Sequence, residues 1–553
     1  MIKDIKFNLD ALGRMAQGVD VLAKTVGSTL GPGGRNVIFE WGLHPQVTKD
    51  GVTVARQVEL GGKFESIGAC MVRDVASKTC DDAGDGTTTA TILAASVLKQ
   101  GLQYIISGVN PIDIQRNLTE GAEIVVNFIR DNIRKEVVGD EDVKSIAMVS
   151  ANWDENIADV VTKAVLEVGV DGPVEYEDTK KSTNVTLRFE EGMTFDRGFF
   201  NPGFINCQEK QTVEYENPYI LLHRGTLRSW QSLLHIVSTV HKQNVDGESP
   251  AIILVADDFE SNVLQSAYAN FKGAARLKIS FMRSPFYANH RDNSMDDLAV
   301  FLGTKVIEPG VGTALDQLQL SDLGRCRKLV QTASTTTFIM GGGDELSVKK
   351  HIENLKALQD PNSGLSDVDR ANLELRIKKL RAKVAFINIG AHTEAEQNER
   401  RDRIDDAVCA TRAALQEGVV PGGCYSYLKA IPVLEKEMKK ADRAKQVAYT
   451  ILIEALKQPF KRLMANVGMH DESYIILDKI IRGKKKNQGF DVKRKVMTDL
   501  IKAGVTDPFR VTRAALQNAV SVAGLILTAE AVVVDKEDEN INVVQAQSIP
   551  SLF

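Results

Sequence analysis

The sequence has little of what builds metal centres and disulfide scaffolds. Six of its 553 residues are cysteine and eight are histidine. The cysteines stand at positions 70, 80, 207, 326, 409 and 424. None forms a Cys-x-x-Cys pair, and no two histidines are four residues apart. A zinc ribbon, a thioredoxin-type centre and a His-x-x-x-His metal pair are therefore excluded. Counts this low fit buried thiols in a reducing, cytosolic setting. A surplus of one charge is missing too. The 68 basic and 73 acidic residues leave a net charge of −5, too small to point to nucleic acid or an acidic substrate. No apolar run reaches the roughly 18 residues of a membrane span. Met1 to Asp20 mixes charged with apolar residues and has no apolar signal core, so the expectation is an unexported, cytoplasmic chain with neither a membrane nor a nucleic-acid partner. Two nucleotide signatures are also lacking: there is no Gly-x-x-x-x-Gly-Lys-Ser/Thr loop, and no Gly-x-Gly-x-x-Gly follows a strand.

What is present is an ordinary globular composition, 43% hydrophobic and 25% charged, in a chain long enough for three or four domains at about 150 residues each. The N-terminal part reads helical. Asp10 to Leu30 carries Leu12, Met15, Val19, Leu22 and Val26 at helical spacing. Short extended pieces are expected at Asn36–Phe39 and Val52–Val54, and further helices from Phe64 to Thr79 and after Gly86. From about Ser182 to Phe386 the texture changes. Runs such as Tyr219–Leu222 and Ala251–Val255 read as buried strands, and they alternate with helical stretches at Trp230–Val240 and Ser261–Phe271. Ser347–Gln359 and Ser366–Ala382 read as a helix pair around the turn at 360–364. After Asn398 the chain is helical again. The layout predicts one helical domain, split in sequence, with an α/β domain inserted in its middle.

Four loops of small residues carry the chemistry. They are Thr29-Leu30-Gly31-Pro32, Thr48-Lys49-Asp50-Gly51, Gly84-Asp85-Gly86-Thr87-Thr88-Thr89 and Val420-Pro421-Gly422-Gly423. Such loops let backbone N–H groups approach phosphate oxygens closely. The third puts an aspartate and three threonines at the start of an apolar helix, where free N–H groups and the helix dipole favour an anion. Asp85 can hold Mg²⁺ between phosphates, because magnesium prefers one or two carboxylates plus phosphate oxygens. The plainer reading, a helix cap and a turn, fits the same residues.

The segments Thr29–Asn36, Thr48–Gly51 and Ala83–Thr91 resemble the nucleotide pocket of group I chaperonins, the GroEL type. The resemblance runs nearly end to end, through Glu191–Met193, Phe195–Gly198, Asp406–Ala407, Ala410–Ala414, Glu417–Val420, Asp507–Pro508 and Val511–Arg513. It implies a multidomain chaperonin fold of α and α/β parts. A helical equatorial domain spans 1–134 and 417–553, a small intermediate domain 135–190 and 385–416, and an inserted α/β apical domain 191–384. It further implies ATP as substrate with Mg²⁺, and leaves K⁺ open. By resemblance, Thr29, Leu30, Gly31 and Pro32 line the nucleotide together with Lys49 and Gly51. Asp85 ligands the metal, and Gly86, Thr87, Thr88 and Thr89 lie on the phosphates. Gly422, Gly423, Phe490, Asp491, Val505 and Asp507 hold the adenosine end. Asp50 and Asp406 stand at the γ-phosphate, Asp406 reaching it when the intermediate domain swings down. Non-native polypeptides are gripped by apical positions that here read Phe199, Gly203, Phe204, Leu234, Val237, Leu264, Tyr268 and Ala269. The assembly implied is a sevenfold homo-oligomeric ring, single or double.

Several positions depart from the family pattern. Cys424 replaces a glycine near the nucleotide. Phe490-Asp491 stands where Tyr-Asn is usual, and Lys383 where a second apical hinge glycine is usual beside Gly192. The pair that links rings as arginine and glutamate reads Lys461 and His470, which predicts a weaker or nucleotide-dependent double ring. Residues 241–249 are longer than usual, 284–290 differ, and the tail to Phe553 lacks Gly-Gly-Met repeats. Dependence on a co-chaperonin lid stays open. These changes point to a divergent member of the virus-encoded kind, working in a host cytoplasm. Two readings stand beside the ATP-driven chaperonin: a polypeptide-binding ring with a decayed ATPase, and a small-molecule phosphotransferase.

Overall fold

The computed structural model describes residues 3–535, except 42–43, 152, 171, 180–182, 209, 244–248, 274–275, 286–288, 310–313 and 359–366. The turn at 360–364, the chain after 535 and most of the altered 241–249 and 284–290 segments lie outside the described residues. The chain forms two compact units. One comprises 1–163, 178–185 and 389–553; the other comprises 164–177 and 186–388. The first is thus built from both ends of the sequence.

In the first unit six long helices share one core: Asn8–Gly27, Lys63–Ala83, Thr87–Ile106, Pro111–Asn132, Arg443–Asn466 and Phe509–Leu527. The first buries Leu12, Met15, Val19, Leu22 and Val26, the stripe expected from its spacing. These meet Leu93, Leu98, Ile114, Leu118, Leu456, Phe460 and Leu516. Helix ends follow local chemistry. Asn110 caps Ile112 N–H at 3.0 Å before Pro111, and Gly84, at φ +73°, ends the Lys63 helix.

Val52–Val54 corrects the expectation of an extended piece. It lies within a helix, Gly51–Gln57. Asp50 caps it, accepting from Val52 N–H at 3.1 Å and Thr53 N–H at 2.7 Å. The cap outweighs the β-branched pair in so short a segment.

The second unit is a nine-stranded sheet with helices on both faces. Strands Ile279–Arg283, Ile252–Ala256 and Tyr219–Leu222 are parallel neighbours and almost wholly buried, as a sheet covered on both faces requires. Helices Trp230–His241 and Ser261–Lys272 cover one face around Leu221, Leu254 and Phe281. Helices Asn289–Leu302, Glu345–Leu358 and Asp367–Leu380 cover the other around Ile253, Leu298 and Phe338.

Candidate nucleotide site

The site lies in the first unit, where four loops meet the helix Glu394–Glu417. The loop after the Asn8 helix folds back on itself. Gly34 N–H donates to Gly31 O at 2.9 Å and Arg35 N–H to Ser28 O at 2.9 Å. Thr29 is buried and gives its hydroxyl to Val26 O at 2.8 Å. A Cβ at Gly34 would stand 1.9 Å from Thr29 O, so this turn accepts only glycine. Leu30 rests half-buried against the core, and Gly31 and Pro32 are exposed. Arg462 and Asn466, which the sequence reading did not single out, hold the loop from below. Arg462 Nε donates to Gly27 O at 3.0 Å, and Asn466 Nδ2 donates to Gly27 O at 3.0 Å and Leu30 O at 2.9 Å. They satisfy carbonyls that the helix end leaves open.

The second and third loops touch. A Cβ at Gly51 would fall 2.2 Å from Thr88 Oγ1 and 3.1 Å from Thr87 Oγ1. The Gly51 helix therefore starts against the N-terminus of the Thr87 helix. Gly86 has φ +84° and bends the chain so that its N–H meets the Asp85 carboxylate. Asp85 is half-buried. Burial pushes its carboxyl above the ordinary range, the Gly86 N–H opposes this, and Asp50 adds to it.

Asp406 reaches the same place from the Glu394 helix. Its carboxyl is pushed well up by burial and then by Asp85, Asp50, Asp405 and Asp402. Asp50, Asp85 and Asp406 thus sense one another across three segments far apart in sequence. Lys49 packs nearby, its ammonium pKa lowered by burial and by Arg403, with Glu399 opposing.

The fourth loop closes the far end. Val419–Pro421 pairs antiparallel with Thr506–Pro508, placing Val420 opposite Asp507. Gly422 N–H donates to Val505 O at 2.9 Å. A Cβ at Gly422 would meet Asp507 Oδ1 at 3.0 Å, and Gly423 has φ +64°. The Asp507 carboxyl is pushed up to about 7 by burial and Asp85, although Gly423 N–H stabilises its anion. Cys424 also has positive φ, +63°, a conformation that costs a non-glycine residue roughly 1 kcal/mol. With Thr89, Tyr427 and Asp507 it lines a cavity of about 40 Å³. Phe490 and Asp491 are both buried. Asp491 Oδ1 accepts from Lys493 N–H at 2.9 Å and Arg494 N–H at 3.0 Å, so its carboxylate serves its own hairpin first.

With this geometry in place, the comparisons with known proteins can be read. The sequence matches the TCP-1/cpn60 chaperonin family over residues 22–247 and 251–537. The chain belongs to the TCP-1/cpn60 chaperonin family. Its fold is shared with the chaperonin gp146 of bacteriophage EL 2 (Pseudomonas aeruginosa), crystallised in the presence of ATP-BeFx in two crystal forms. The TM-scores are 0.66 and 0.61, at 21% identity, covering 96% of this chain and 99% of the phage chain. The chaperonin expected from the loop motifs holds, and the shared fold agrees with the expectation of a divergent, virus-type member. No helix among the described residues is long and apolar enough to cross a membrane.

In the chaperonin's second unit, the residues expected to grip polypeptides divide. Leu234 is 47% exposed and Tyr268 43%. Phe199 and Leu264 are half-buried. Phe204 and Val237 correct the expectation, being only 1% and 3% exposed. Phe204 packs edge-on against Phe271 and Tyr268, with ring centroids at 5.4 and 5.9 Å. Val237 turns inward one helical turn from Leu233. Both belong to the core that seats the two helices on the sheet. At the hinge, Gly192 sits where a Cβ would meet Val384 Cγ2 at 2.3 Å, and Lys383 is held by Glu167 at 2.6 Å.

Proposed function

We propose that this chain is the subunit of an ATP-hydrolysing ring that binds non-native polypeptides and releases them by nucleotide-driven domain movement and encapsulation. The observation that carries this reading is the convergence of Asp50, Asp85 and Asp406 at the N-terminus of the Thr87 helix, inside a cleft of glycine turns. Free N–H groups at a helix start suit phosphate oxygens. A placed carboxylate suits the task of orienting water for in-line attack on a phosphoryl group.

The donor set also fits Mg²⁺. Among the described residues no three acidic, histidine or cysteine side chains form a ready-made cage, which matches an ion that takes one carboxylate and completes its shell with phosphate oxygens and water. Asp85 is the residue to hold it, and when bound it would neutralise charge on the phosphates. No residue is assigned to K⁺.

Asp406 is the carboxylate for the attacking water, with Asp50 beside it. Thr29 to Pro32, Lys49, Gly51 and Thr87 to Thr89 are assigned to the phosphates and ribose. Gly422, Gly423, Val505, Asp507 and Phe490 are assigned to the adenosine end, and Asp491 contributes there through the turn it caps. The three-domain division at 134, 190, 384 and 416 goes with this reading, and so does a sevenfold ring in a cytoplasm. Polypeptide contact falls to Leu234, Tyr268, Phe199 and Leu264. Lys461 lies 4.8 Å from the Tyr474 ring centre, and His470 lies 3.3 Å from Asp471. Each is engaged within its own chain, which supports a weak or nucleotide-dependent ring-to-ring contact.

Asp406→Ala is the test. It is expected to retain ATP binding and to lose about 10²- to 10⁴-fold in phosphate release, the usual worth of a positioned base. Turnover at the parent rate overturns the assignment. The second reading, a polypeptide-binding ring without turnover, is favoured by the strained Cys424 at the cleft. It predicts no phosphate release by the parent chain.

A further inference from the structure

The reading above uses Asp50, Asp85 and Asp406 and leaves a fourth carboxylate without a role. Asp402 lies four residues before Asp406 on the Glu394–Glu417 helix. Residues at that spacing sit one above the other on one helix face, with Cβ atoms about 5–6 Å apart. Asp402 is therefore carried to the cleft whenever Asp406 is.

Its surroundings are unusual for a surface aspartate. Partial burial raises its carboxyl to about 6, followed by Asp50 and Asp405 and, more weakly, Glu399; Arg401 is the one group that opposes them. The cations of its own helix are engaged elsewhere. Arg401 pairs with Asp178, and Arg403 pairs with Glu399 and reaches Asp154 at 3.9 Å. Lys49 packs against Arg403 and Glu399. No ion-pair partner for Asp402 occurs among the described residues. A helix carboxylate with only a solvating role would be expected to pair with the arginine next to it; this one faces another carboxylate instead.

We propose that Asp402 is a positioning residue of the hydrolysis site, acting through Asp50 and Asp406 by keeping a negative charge beside them that raises their affinity for a proton. A stronger base draws more firmly on the water it orients. The effect passes through the electric field of one charge at close range, so it needs no contact with the nucleotide. This inference rests on the proposed ATPase reading.

The experiment compares Asp402→Asn with the parent chain in steady-state phosphate release from pH 5 to 9, with saturating Mg²⁺. Asparagine keeps the size and removes the charge. The acid limb of kcat is expected to move down by about one pH unit, and kcat at pH 8 to fall about 3- to 10-fold. KM for ATP is expected to stay level or fall, because a like charge near a polyanion is gone. Asp402→Glu restores the parent profile. A merely structural role would lower kcat without moving the limb. Parent turnover with superimposable Asp402→Asn profiles overturns this inference alone. A parent chain that releases no phosphate at any pH overturns the ATPase reading and the inference with it.

Discussion

Asp297 offers the sharpest test of the packing. It is 1% exposed, at the centre of the three helices on one face of the α/β sheet. Arg376 grips it in a fork, Nε to Oδ2 at 2.7 Å and Nη2 to Oδ1 at 2.8 Å, and His351 Nε2 lies 2.7 Å from Oδ1. Asp297→Ala leaves an Arg376 side chain that is only 16% exposed without its acceptor. Removing one partner of such a pair costs about 3–5 kcal/mol. Replacing both, as Asp297→Leu with Arg376→Met, fills the space without charge and should cost under about 1 kcal/mol. Amide hydrogen exchange is the assay, because a chain with two compact units need not unfold in one step. Protection in the helices Asn289–Leu302, Glu345–Leu358 and Asp367–Leu380 should fall by about 10²- to 10³-fold in the single variant, with no change in the Thr87 or Phe509 helices. The pH dependence has a definite sign. Burial pushes the Asp297 carboxyl up, but the hydrogen bonds from Arg376 and His351 hold it below the ordinary range overall. Its stabilisation is therefore present above the unfolded pKa near 4 and is lost as pH falls through the lower folded value. A single variant that exchanges like the parent, or a double variant as damaged as the single, refutes this reasoning.

The burial pattern of the polypeptide-binding candidates separates two kinds of variant. Leu234→Ser and Tyr268→Ser should weaken capture of an unfolded chain while leaving thermal stability within ~0.5 kcal/mol, whereas Phe204→Ala should destabilise the α/β unit by about 3–5 kcal/mol; equal stability for all three would contradict the core assignment of Phe204. Native mass with and without ATP–Mg²⁺ checks the ring: seven copies of a 60.6 kDa chain give about 424 kDa and fourteen about 848 kDa, and a monomer under both conditions removes the cavity mechanism.

How much of this was legible in the sequence varies with the range of the forces involved. The split helical part and its inserted α/β part could be read, because periodicity reports burial along a single element: Leu12, Met15, Val19, Leu22 and Val26 form one buried stripe. The glycine turns could be read for the same local reason. Val52–Val54 was misread because its β-branched residues were weighed and the Asp50 cap before them was not. Phe204 and Val237 were misplaced because an apolar residue in the right register looks the same whether its face is turned to solvent or to Phe281. Arg462, Asn466 and Asp402 were not singled out at all. Their roles depend on which segment lies opposite, and no local pattern carries that. An asparagine 439 residues from the carbonyl it satisfies leaves no mark in either neighbourhood.

The excess of negative charge in the cleft sets a condition on what can enter it. The carboxyls of Asp85 and Asp406 are raised by burial and by their neighbours, that of Asp402 to about 6 and that of Asp507 to about 7. A group whose folded pKa is raised favours the folded, protonated form at low pH and loses that contribution as pH rises through the folded value. Near pH 5 Asp402 and Asp507 are protonated, and at pH 8 both are ionised. ATP adds several negative charges of its own. Without a divalent cation, its affinity should therefore fall by about 10- to 100-fold from pH 5 to pH 8, one or two like charges at ~1.4 kcal/mol each. With Mg²⁺ at Asp85 most of that slope should vanish. Asp507→Asn divides the effect between protein and nucleotide, because it removes one titrating carboxyl and leaves the ATP titration untouched. Calorimetric titration of ATP into the parent and the variant, with EDTA and with Mg²⁺, measures all of these quantities. Magnesium-free binding equally tight at both pH values would mean that the carboxylates do not face the phosphates, and the assignment of Asp85, Asp50 and Asp406 would fall together.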